Sequence, residues 1–386
     1  MPYWRLSGFY FFYFAALGVL APFWGLYLKD LGFDALAIGQ LMAIPLATKM
    51  VAPYLWGWLG DHLEQRMAMV RLGSLLTALI FAAVFFVEAF WPLALAMVLF
   101  SFFWNAVLPQ FEVITFRYLG ANVARYARVR VWGSVGFIIA VLVLGVAVDA
   151  QGPRIILPVM LAIYAAIWLS SLLVRDPEHR PHPEEQGHIL EVIANPRVLA
   201  FFIACFLMQA GHGGYYAFYS IFMEGIGYSK TLIGGLWALG VIAEVVVFIY
   251  MHQLLDRFGA RRVLLASFFL AALRWLLIGL FPQVMPLMLL AQLFHAATFG
   301  AFHAAAIHLV HHYFVGKHQG RGQALYSSIS FGAGGALGSL FAGFVWESLG
   351  PLLTFLISAL ISALALLIAW LWIEDEPRPL AANPSG

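Results

Sequence analysis

The chain alternates between long apolar runs and short polar breaks. Twelve runs stand out, at 6–28, 35–59, 68–90, 93–117, 130–148, 154–174, 198–223, 231–254, 263–281, 285–313, 323–346 and 351–373. Each can cross a bilayer core, which takes roughly 20 apolar residues in a helix. A spanning run must be helical, because a helix pairs its own backbone N–H and C=O groups where water is absent. The breaks carry turn and charge signals: Lys29-Asp30, Asp61-His62, Trp91-Pro92, Gly120-Ala121-Asn122, Gly152-Pro153, Phe281-Pro282 and Gly350-Pro351. The pattern predicts an all-α integral membrane protein with twelve transmembrane helices. The first run, apolar from Leu6 to Tyr27, is too long for the core of a signal peptide and has no small-residue cleavage site. It reads as a retained first helix.

The longest polar stretch runs from Arg175 to Arg197 and holds Pro177, Pro181, Pro183 and a set of acidic residues. It divides the chain into two expected six-helix bundles, 1–174 and 198–374, with 175–197 as an exposed linker and 375–386 as a tail. Cytoplasmic connections of membrane proteins carry an excess of Lys and Arg. One set of connections and termini holds Arg5, Arg66, Arg71, Arg117, Arg125, Arg128, Arg175, Arg180, Arg197, Arg257, Arg261, Arg262, Lys317, Arg321 and Arg378; the opposite set holds Lys29, Arg154 and Lys230. Both termini and the linker are therefore expected on the cytoplasmic side.

Composition agrees. Apolar residues make up 63% of the chain and charged residues 10%, against about 25% charge in a soluble domain. A water-soluble fold could not cover its surface with so few charges. The net charge of +2 creates no field that would draw nucleic acid. The single cysteine, Cys205, excludes an intrachain disulfide. The glycines at 332, 334, 335 and 338 follow no strand and lie inside an apolar run, so they read as a close helix contact and not a nucleotide loop. No G-x-x-x-x-G-K-[ST] run is present to bind ATP. His308, His311 and His312 lack carboxylate or thiolate companions and read as solvated, not as metal ligands. No metal, cofactor or enzymatic chemistry is expected.

An offset of 195 residues relates the two halves. Gly32-Phe33 recurs as Gly227-Tyr228 and Ile38-Gly39 as Ile233-Gly234, while Leu41, Ala43, Asp61 and Arg66 recur as Leu236, Ala238, Asp256 and Arg261. Each copy lies between an odd and an even span of its half, so the two share an orientation, as parallel repeats about an axis normal to the membrane do. Within the repeat, Gly57-x-x-x-Asp61-His62-x-x-x-Arg66 and Asp256-Arg257-Phe258-Gly259-Ala260-Arg261-Arg262 resemble G-x-x-x-D-R-x-G-x-R-R, the cytoplasmic signature of the major facilitator superfamily. The first copy departs at His62 and Glu64, the second at His252, where the pattern has glycine. The resemblance implies the major facilitator fold and a secondary transporter working by alternating access. Asp61, Arg66, Asp256, Arg257, Arg261 and Arg262 would then form gating loops, the acid capping a helix N-terminus and holding the facing arginines. A solvated turn is the competing reading.

The segment Tyr126-Ala-Arg128-Val-Arg130-Val-Trp132-Gly133-Ser134-Val135-Gly136-Phe137 resembles the start of the fifth helix in the lactose permease family. By that resemblance Arg130 falls on the sugar-binding arginine and Glu112 on its acidic partner. More of the chain resembles the 3-phenylpropionate permeases, in Pro22-Phe23-Trp24 with Leu28-Lys29, Gln209-Ala-Gly-His212 with Tyr215-Tyr216, Leu239-Gly-Val-Ile-Ala243-Glu244, Arg274-Trp275, and Leu293-Phe294-His295. This implies a multi-pass monomer in a bacterial inner membrane, whose partners are a small-molecule solute, protons and the lipid bilayer.

Ionisable groups in hydrocarbon are costly and mark function by default. The candidates are few: Lys49, Glu112, Arg130, His212, Glu244, Arg274, His295 and His303. Helical spacing puts Gln209, His212, Tyr216 and Tyr219 on one face of the seventh span. It puts Trp237, Gly240, Glu244 and Phe248 on one face of the eighth, and Gln292, His295, Phe299 and His303 on one of the tenth. Such mixed faces fit a wet cavity. Glu112, Arg130, Gln209, His212, Tyr216 and Trp237 are the expected substrate contacts. Glu244, Arg274, His295 and His303 are the expected proton-coupling groups. The lactose permease family couples through a histidine followed three residues later by an acid; here those positions are His295 and Thr298, so the acid is missing. Glu244, mid-span with no charged residue within a turn, is the candidate proton carrier, with Arg274 and His295 placed to stabilise its anion.

Plainer roles compete at each position. Glu112 and Arg130 would serve equally as a structural ion pair, Glu244 as a hydrogen-bonded structural acid, Arg274 as an interhelical tie, His212 and His295 as core histidines, and Lys49 as a structural cation. Aromatic faces with Arg130 suit a ring bearing a carboxylate, such as 3-phenylpropionate, taken up with a proton. The rivals are a symporter of a neutral sugar or nucleoside, a drug-type exporter, and a non-transporting receptor or scaffold. The fifth span lacks the proline of many drug antiporters, and a scaffold has no use for buried charges.

Overall fold

The computed structural model describes residues 2–63, 65–120, 122, 125–176, 192–315 and 318–374; the side chain of Asp61, most of the expected linker and all of the expected tail lie outside the described residues. Ten helices follow in order: α1 (Tyr3–Asp30), α2 (Ala35–Leu63), α3 (Arg66–Ala82), α4 (Phe90–Leu119), α5 (Tyr126–Gln151), α6 (Ile156–Leu172), α7 (Pro196–Gly225), α8 (Lys230–Phe258), α9 (Ala260–Leu280) and α10 (Met285–Tyr313). The remaining apolar stretch, Gln319–Trp372, would be about 80 Å long as one helix. Gly350 breaks it, at φ 82° and ψ 177°, a conformation open to glycine and closed to most side chains. Pro351 then starts a new helix, where its missing N–H costs nothing. The stretch is therefore α11 (319–349) and α12 (351–372), and the expected all-α fold of twelve spans holds.

Two local features differ from the sequence expectation. The third span does not stay α-helical to residue 90: it tightens into a 3-10 turn over Ala83–Phe86 and becomes extended at Val87. Apolarity set the predicted length there, but Val87, Glu88 and Ala89 lie where the chain must turn back. Helices α10 and α11 each carry a π-helical segment, Ala296–Ala301 and Ser327–Gly334. An inserted residue of this kind rotates the helix face that follows it, and such bulges gather at functional sites.

Helices α1–α6 pack among themselves, α1 on α5 and α6, α3 on α4 and α6, and α2 on α4; α7–α12 repeat the arrangement. Glycines permit the closest approaches. A Cβ on Gly136 of α5 would fall 2.1 Å from the Phe11 carbonyl oxygen of α1, and one on Gly338 of α11 would fall 2.3 Å from that of Ala210 on α7. The glycine-rich part of α11 is thus a helix contact, as expected. Lipid-facing side chains remain bare: Ile249, Leu360 and Trp370 are at least 60% exposed.

The halves meet where α2 crosses α11, α5 crosses α8, and α1 meets α7. The sequence repeat has a physical meaning here. Gly39 of α2 and its copy Gly234 of α8 both lie under a helix of the opposite half. A Cβ on Gly39 would stand 2.7 Å from Gly343 Cα, and one on Gly234 would stand 2.4 Å from the Val141 carbonyl oxygen. Lys29 and Glu224, also 195 residues apart, pair directly at 2.9 Å.

The end of the molecule that carries Lys29, Arg154 and Lys230 is closed by ties between the halves. Asp149, in the last turn of α5, accepts the Lys230 and Thr231 N–H groups at 2.9 and 2.8 Å and the Thr231 hydroxyl at 2.6 Å. Glu347, near the end of α11, accepts the Ala35 N–H at the start of α2 at 3.0 Å. In each case a carboxylate from one half caps a helix N-terminus of the other, meeting unpaired N–H groups and the positive end of the helix dipole. Glu224 binds both Lys29 and Lys230 at 2.9 Å. The ties identified at the opposite end run within each half: Arg71 to the Val174 carbonyl at 2.8 Å, Asp176 to the Met67 N–H at 3.1 Å, Arg197 to Glu374, and Arg261 to the Trp370 carbonyl at 3.0 Å.

If the Asp149 cap holds this end shut, Asp149→Ala should weaken the closure by about 0.5–2 kcal/mol, the usual worth of a helix cap. Spin labels at Trp91, exposed in the first turn of α4, and at Val284, exposed in the loop before α10 of the other half, should then report a new population at longer distance. An unchanged distance distribution would remove Asp149 from the gate.

Candidate functional site

The wall contributed by the first half comes from α1, α2, α4 and α5. Arg130 of α5 lies with its guanidinium carbon 3.6 Å from the centre of the Phe14 ring and 5.8 Å from that of Tyr10. Phe14 and Tyr10 are one turn apart on α1 and so share a face. Gly133, one turn beyond Arg130, leaves them room, since a Cβ there would fall 2.7 Å from both the Phe14 ring and Arg130 Nη1. Glu112 of α4 accepts the Tyr126 hydroxyl at 2.9 Å. Among the described residues no ion pair within 4 Å joins Glu112 to Arg130, although each lies within electrostatic reach of the other. The structural ion pair considered from the sequence is therefore not formed, and the guanidinium rests on aromatic faces instead.

The second half contributes a connected polar chain. Arg274 of α9 is fully buried. Its Nη1 donates to His295 Nδ1 at 3.2 Å and to Thr298 Oγ1 at 3.1 Å, and its Nη2 donates to Gln292 Oε1 at 3.3 Å. Tyr215 donates to the same Gln292 oxygen at 2.9 Å and presents its ring 4.2 Å from the Arg274 guanidinium. All of these are neutral acceptors or π faces. The carboxylate comes one step further on: His295 Nε2 lies 3.5 Å from Glu244 Oε2. Arginine can only donate, so His295 Nδ1 is an acceptor. A neutral ring then carries its proton on Nε2, the nitrogen facing Glu244. The imidazole thus connects a buried guanidinium to a carboxylate. Thr298, where the lactose permease family would have its acid, serves as an acceptor for Arg274.

Backbone geometry makes this chain possible. Gly240 of α8 faces the His295 ring, and a Cβ there would touch three of its side-chain atoms at 3.3 Å. Gly300, inside the π-helical segment, admits Glu244, whose Cγ would lie 2.9 Å from an added Cβ. The two walls face each other. Glu244 lies within electrostatic reach of Arg130, and His303 within reach of Lys49 and Arg130.

The remaining sequence candidates take varied places. His212 is buried, donates from Nδ1 to the Met208 carbonyl at 2.7 Å, and packs against Tyr216 and the edge of Trp275. Gln209 is buried with its amide nitrogen unpartnered. Trp237 donates to Ser220 at 3.1 Å and packs against Tyr215, the two rings tilted by 40° with centres 4.4 Å apart. His303 meets the Tyr326 hydroxyl at 3.2 Å, away from the Arg274 chain.

In the loops, Arg66 is buried and donates to Gln110 Oε1. The carboxylate found at the start of α3 is Asp176, which also lies 4.0 Å from Arg117. Asp256 pairs with His252 at 3.2 Å, one turn back on α8. Arg257 lies over Phe258, Arg261 reaches the end of α12, and Arg262 is exposed. Sequence reasoning missed Asp176 and Phe14 as participants, and it put Gln292 on the interior face of the tenth span without giving it a role. Only the π-face spacing of Tyr10 and Phe14, four residues apart, left a signal.

Twelve apolar helices in two repeated halves, with charges facing each other between them, define a membrane transporter and not an enzyme. The model of the MFS_1 like family matches residues 3–357, and the chain belongs to that family. It is 32% identical over 351 residues to the probable 3-phenylpropionic acid transporter of Escherichia coli (strain K12), covering 88% of this chain and 90% of that one. It is 25% identical over 366 residues to the maltose permease of Geobacillus stearothermophilus, covering 93% and 92%. Among solved structures, the nucleoside transporter NupG superposes with a TM-score of 0.82 at 20% identity, covering 97% of this chain and 100% of that one. A bacterial homologue of the human lysosomal transporter Spinster, in an inward-facing and unoccupied conformation, gives 0.75 at 14% identity, covering 98% and 99%. These two likenesses show the fold.

If His295 couples Arg274 to Glu244, the two should act as a unit. A double-mutant cycle of Arg274→Met and Glu244→Gln, read by thermal unfolding in detergent, should give an interaction energy of at least about 0.5 kcal/mol. Additive losses would mean that the imidazole transmits nothing between them.

Proposed function

We propose that the protein is a proton-coupled symporter that takes up a small aromatic carboxylate, of which 3-phenylpropionate is the leading candidate. The observation that carries this reading is Arg130: a guanidinium in the second turn of α5, seated on Phe14 and Tyr10, with no carboxylate bound to it among the described residues. A planar fork of donors beside aromatic rings matches an aryl ring with a carboxylate in both charge and shape. The 32% identity to a relative named for 3-phenylpropionic acid supports the same class. A neutral sugar or nucleoside remains the rival, because Glu112 and Arg130 together could hold hydroxyl groups.

Proton coupling is assigned to Glu244. Its carboxyl ends a buried chain that begins at a permanent cation, with the His295 ring between the two, 3.2 Å from Arg274 and 3.5 Å from Glu244. Loading a proton on Glu244 removes the anion that balances Arg274, so proton and substrate charge become linked through one network. In this reading the two six-helix halves, 1–174 and 198–374, rock about the site as a monomer in a bacterial inner membrane. The termini, the linker and the loops with Arg66 and Arg261 lie in the cytoplasm. The closed end is then the periplasmic one, and the conformation faces inward.

Vesicles containing the purified protein, given an imposed proton gradient, should accumulate aromatic acids in preference to sugars and nucleosides. Accumulation of a neutral solute alone would replace the carboxylate reading by its rival. Glu244→Gln should abolish gradient-driven accumulation yet leave substrate exchange across the membrane intact; continued accumulation would make Glu244 structural. Arg130→Lys keeps the charge but loses the fork, and should weaken binding by about 1.5–3 kcal/mol. Wild-type affinity in that variant would remove Arg130 from the substrate.

A further inference from the structure

The basic residues of this chain nearly all lie at its two membrane surfaces. Three, Lys49, Arg130 and Arg274, belong to the set of charges between the helices that also holds the carboxylates Glu112 and Glu244. Arg274 is used by its own chain of acceptors, and Arg130 enters the reading above. Lys49 remains without a role.

Its surroundings hold it in one place. Pro45, one turn earlier on α2, cannot donate to the helix and marks a weak point in it. Asn105 of α4 clamps that point, donating to the Pro45 carbonyl at 2.7 Å and to Thr48 Oγ1 at 3.0 Å, and Thr48 meets Ser101 at 2.9 Å. On the next turn, Met50 of α2 lies against α11 of the other half. Its carbonyl accepts the Ser328 hydroxyl at 3.3 Å, and its Cγ would lie 2.5 Å from a Cβ on Gly332. Between these two clamps Lys49 projects over the Phe331 ring of α11, with Nζ 5.2 Å from its centre. The ammonium therefore stands at the seam between the halves. Among the described residues no carboxylate lies within 4 Å of it. It is half-buried, within electrostatic reach of Glu112 and Arg130.

Charge counting gives this position a meaning. Three cations face two carboxylates, so with neutral histidines the space between the halves carries one surplus positive charge. An uncompensated ammonium in a membrane interior is costly, and here it leans on a π face, a weak partner that leaves its charge available. We propose that Lys49 is a specificity-determining residue: together with Arg130 it receives the carboxylate of the substrate and makes the carrier prefer a monoanion over a neutral molecule of the same shape. This rests on the aromatic-carboxylate reading above. A single negative charge would neutralise the surplus, whereas a neutral isostere would leave both cations without a partner.

The test measures binding of 3-phenylpropionate and its neutral analogue 3-phenylpropanamide to the full chain in lipid nanodiscs. Wild type should bind the acid more tightly. Lys49→Met should weaken the acid by about tenfold or more, the loss expected for a contact between charged groups, and leave the amide unchanged. Lys49→Arg should keep the preference for the acid. Should Lys49→Met not fold, Lys49→Gln gives the same readout. An unchanged ratio of acid to amide in the neutral variant would overturn the proposal and leave Lys49 as a tether between α2 and α11. If wild type binds neither compound but takes a sugar or nucleoside, the substrate reading itself fails. If wild type prefers the acid and the neutral variant does too, only the role of Lys49 fails.

Discussion

The bilayer core offers a charged side chain no water, so a charge can persist there only where other polar groups of the protein face it. In this chain that constraint decides where everything else sits. Lys49, Arg130, Arg274, Glu112 and Glu244 lie on five different helices, and none can face lipid. The helices must therefore turn these positions toward one shared space, and their apolar backs, with residues such as Ile249 and Leu360, outward. The balance inside that space is kept by indirect contacts. Arg274 reaches Glu244 through His295, Glu112 is held by Tyr126, and Arg130 and Lys49 rest on aromatic rings. A set of charges balanced through neutral intermediates can be rebalanced by a proton or an anion, which a set of closed ion pairs would resist.

The second constraint acts where the halves meet: helices of the two must pack closely there without leaving backbone groups unpaired. Glycines solve the packing side of this. Gly39 and Gly234 let a helix of one half lie directly on a helix of the other, with backbone touching backbone. Carboxylates solve the polar side. Asp149 and Glu347 cap helix starts across the interface, where a capping contact can be exchanged for water at the membrane surface. Both devices occur twice, once on each side of the pseudo-twofold axis. The Lys29–Glu224 pair joins equivalent residues of the two repeats, so it lies close to the axis itself.

Much of this was legible in the linear sequence. Twelve apolar runs, the repeat at 195 residues and the Gly350-Pro351 break each translate directly into helix number, internal symmetry and a helix end, because they depend on local composition and spacing. The shared faces of α7, α8 and α10 were legible too, since helical periodicity alone places Glu244, His295 and Gln292 toward the interior. The gating loops were less so. Asp176, not a residue of the repeated motif, is the carboxylate found at the start of α3, and Asp256 turns to His252. Which of several nearby acids reaches a helix start depends on where the chain returns after about a hundred residues.

The sequence by itself determined that this chain lives in a membrane, crosses it twelve times in two related halves, and carries a small set of charges it must keep from lipid. Those properties follow from hydropathy and periodicity, which act residue by residue. Only the tertiary structure decided how the charges are used. It placed His295 between Arg274 and Glu244, kept Glu112 and Arg130 apart, and set Lys49 over a ring from the opposite half. The π-helical segment after His295 rotates α10 by an amount no sequence period encodes, and Gly240 and Gly300 matter only because of what lies across from them. Contacts between helices distant in sequence are set by packing as a whole, and charge pairing in a low-dielectric interior changes with every ångström of that packing.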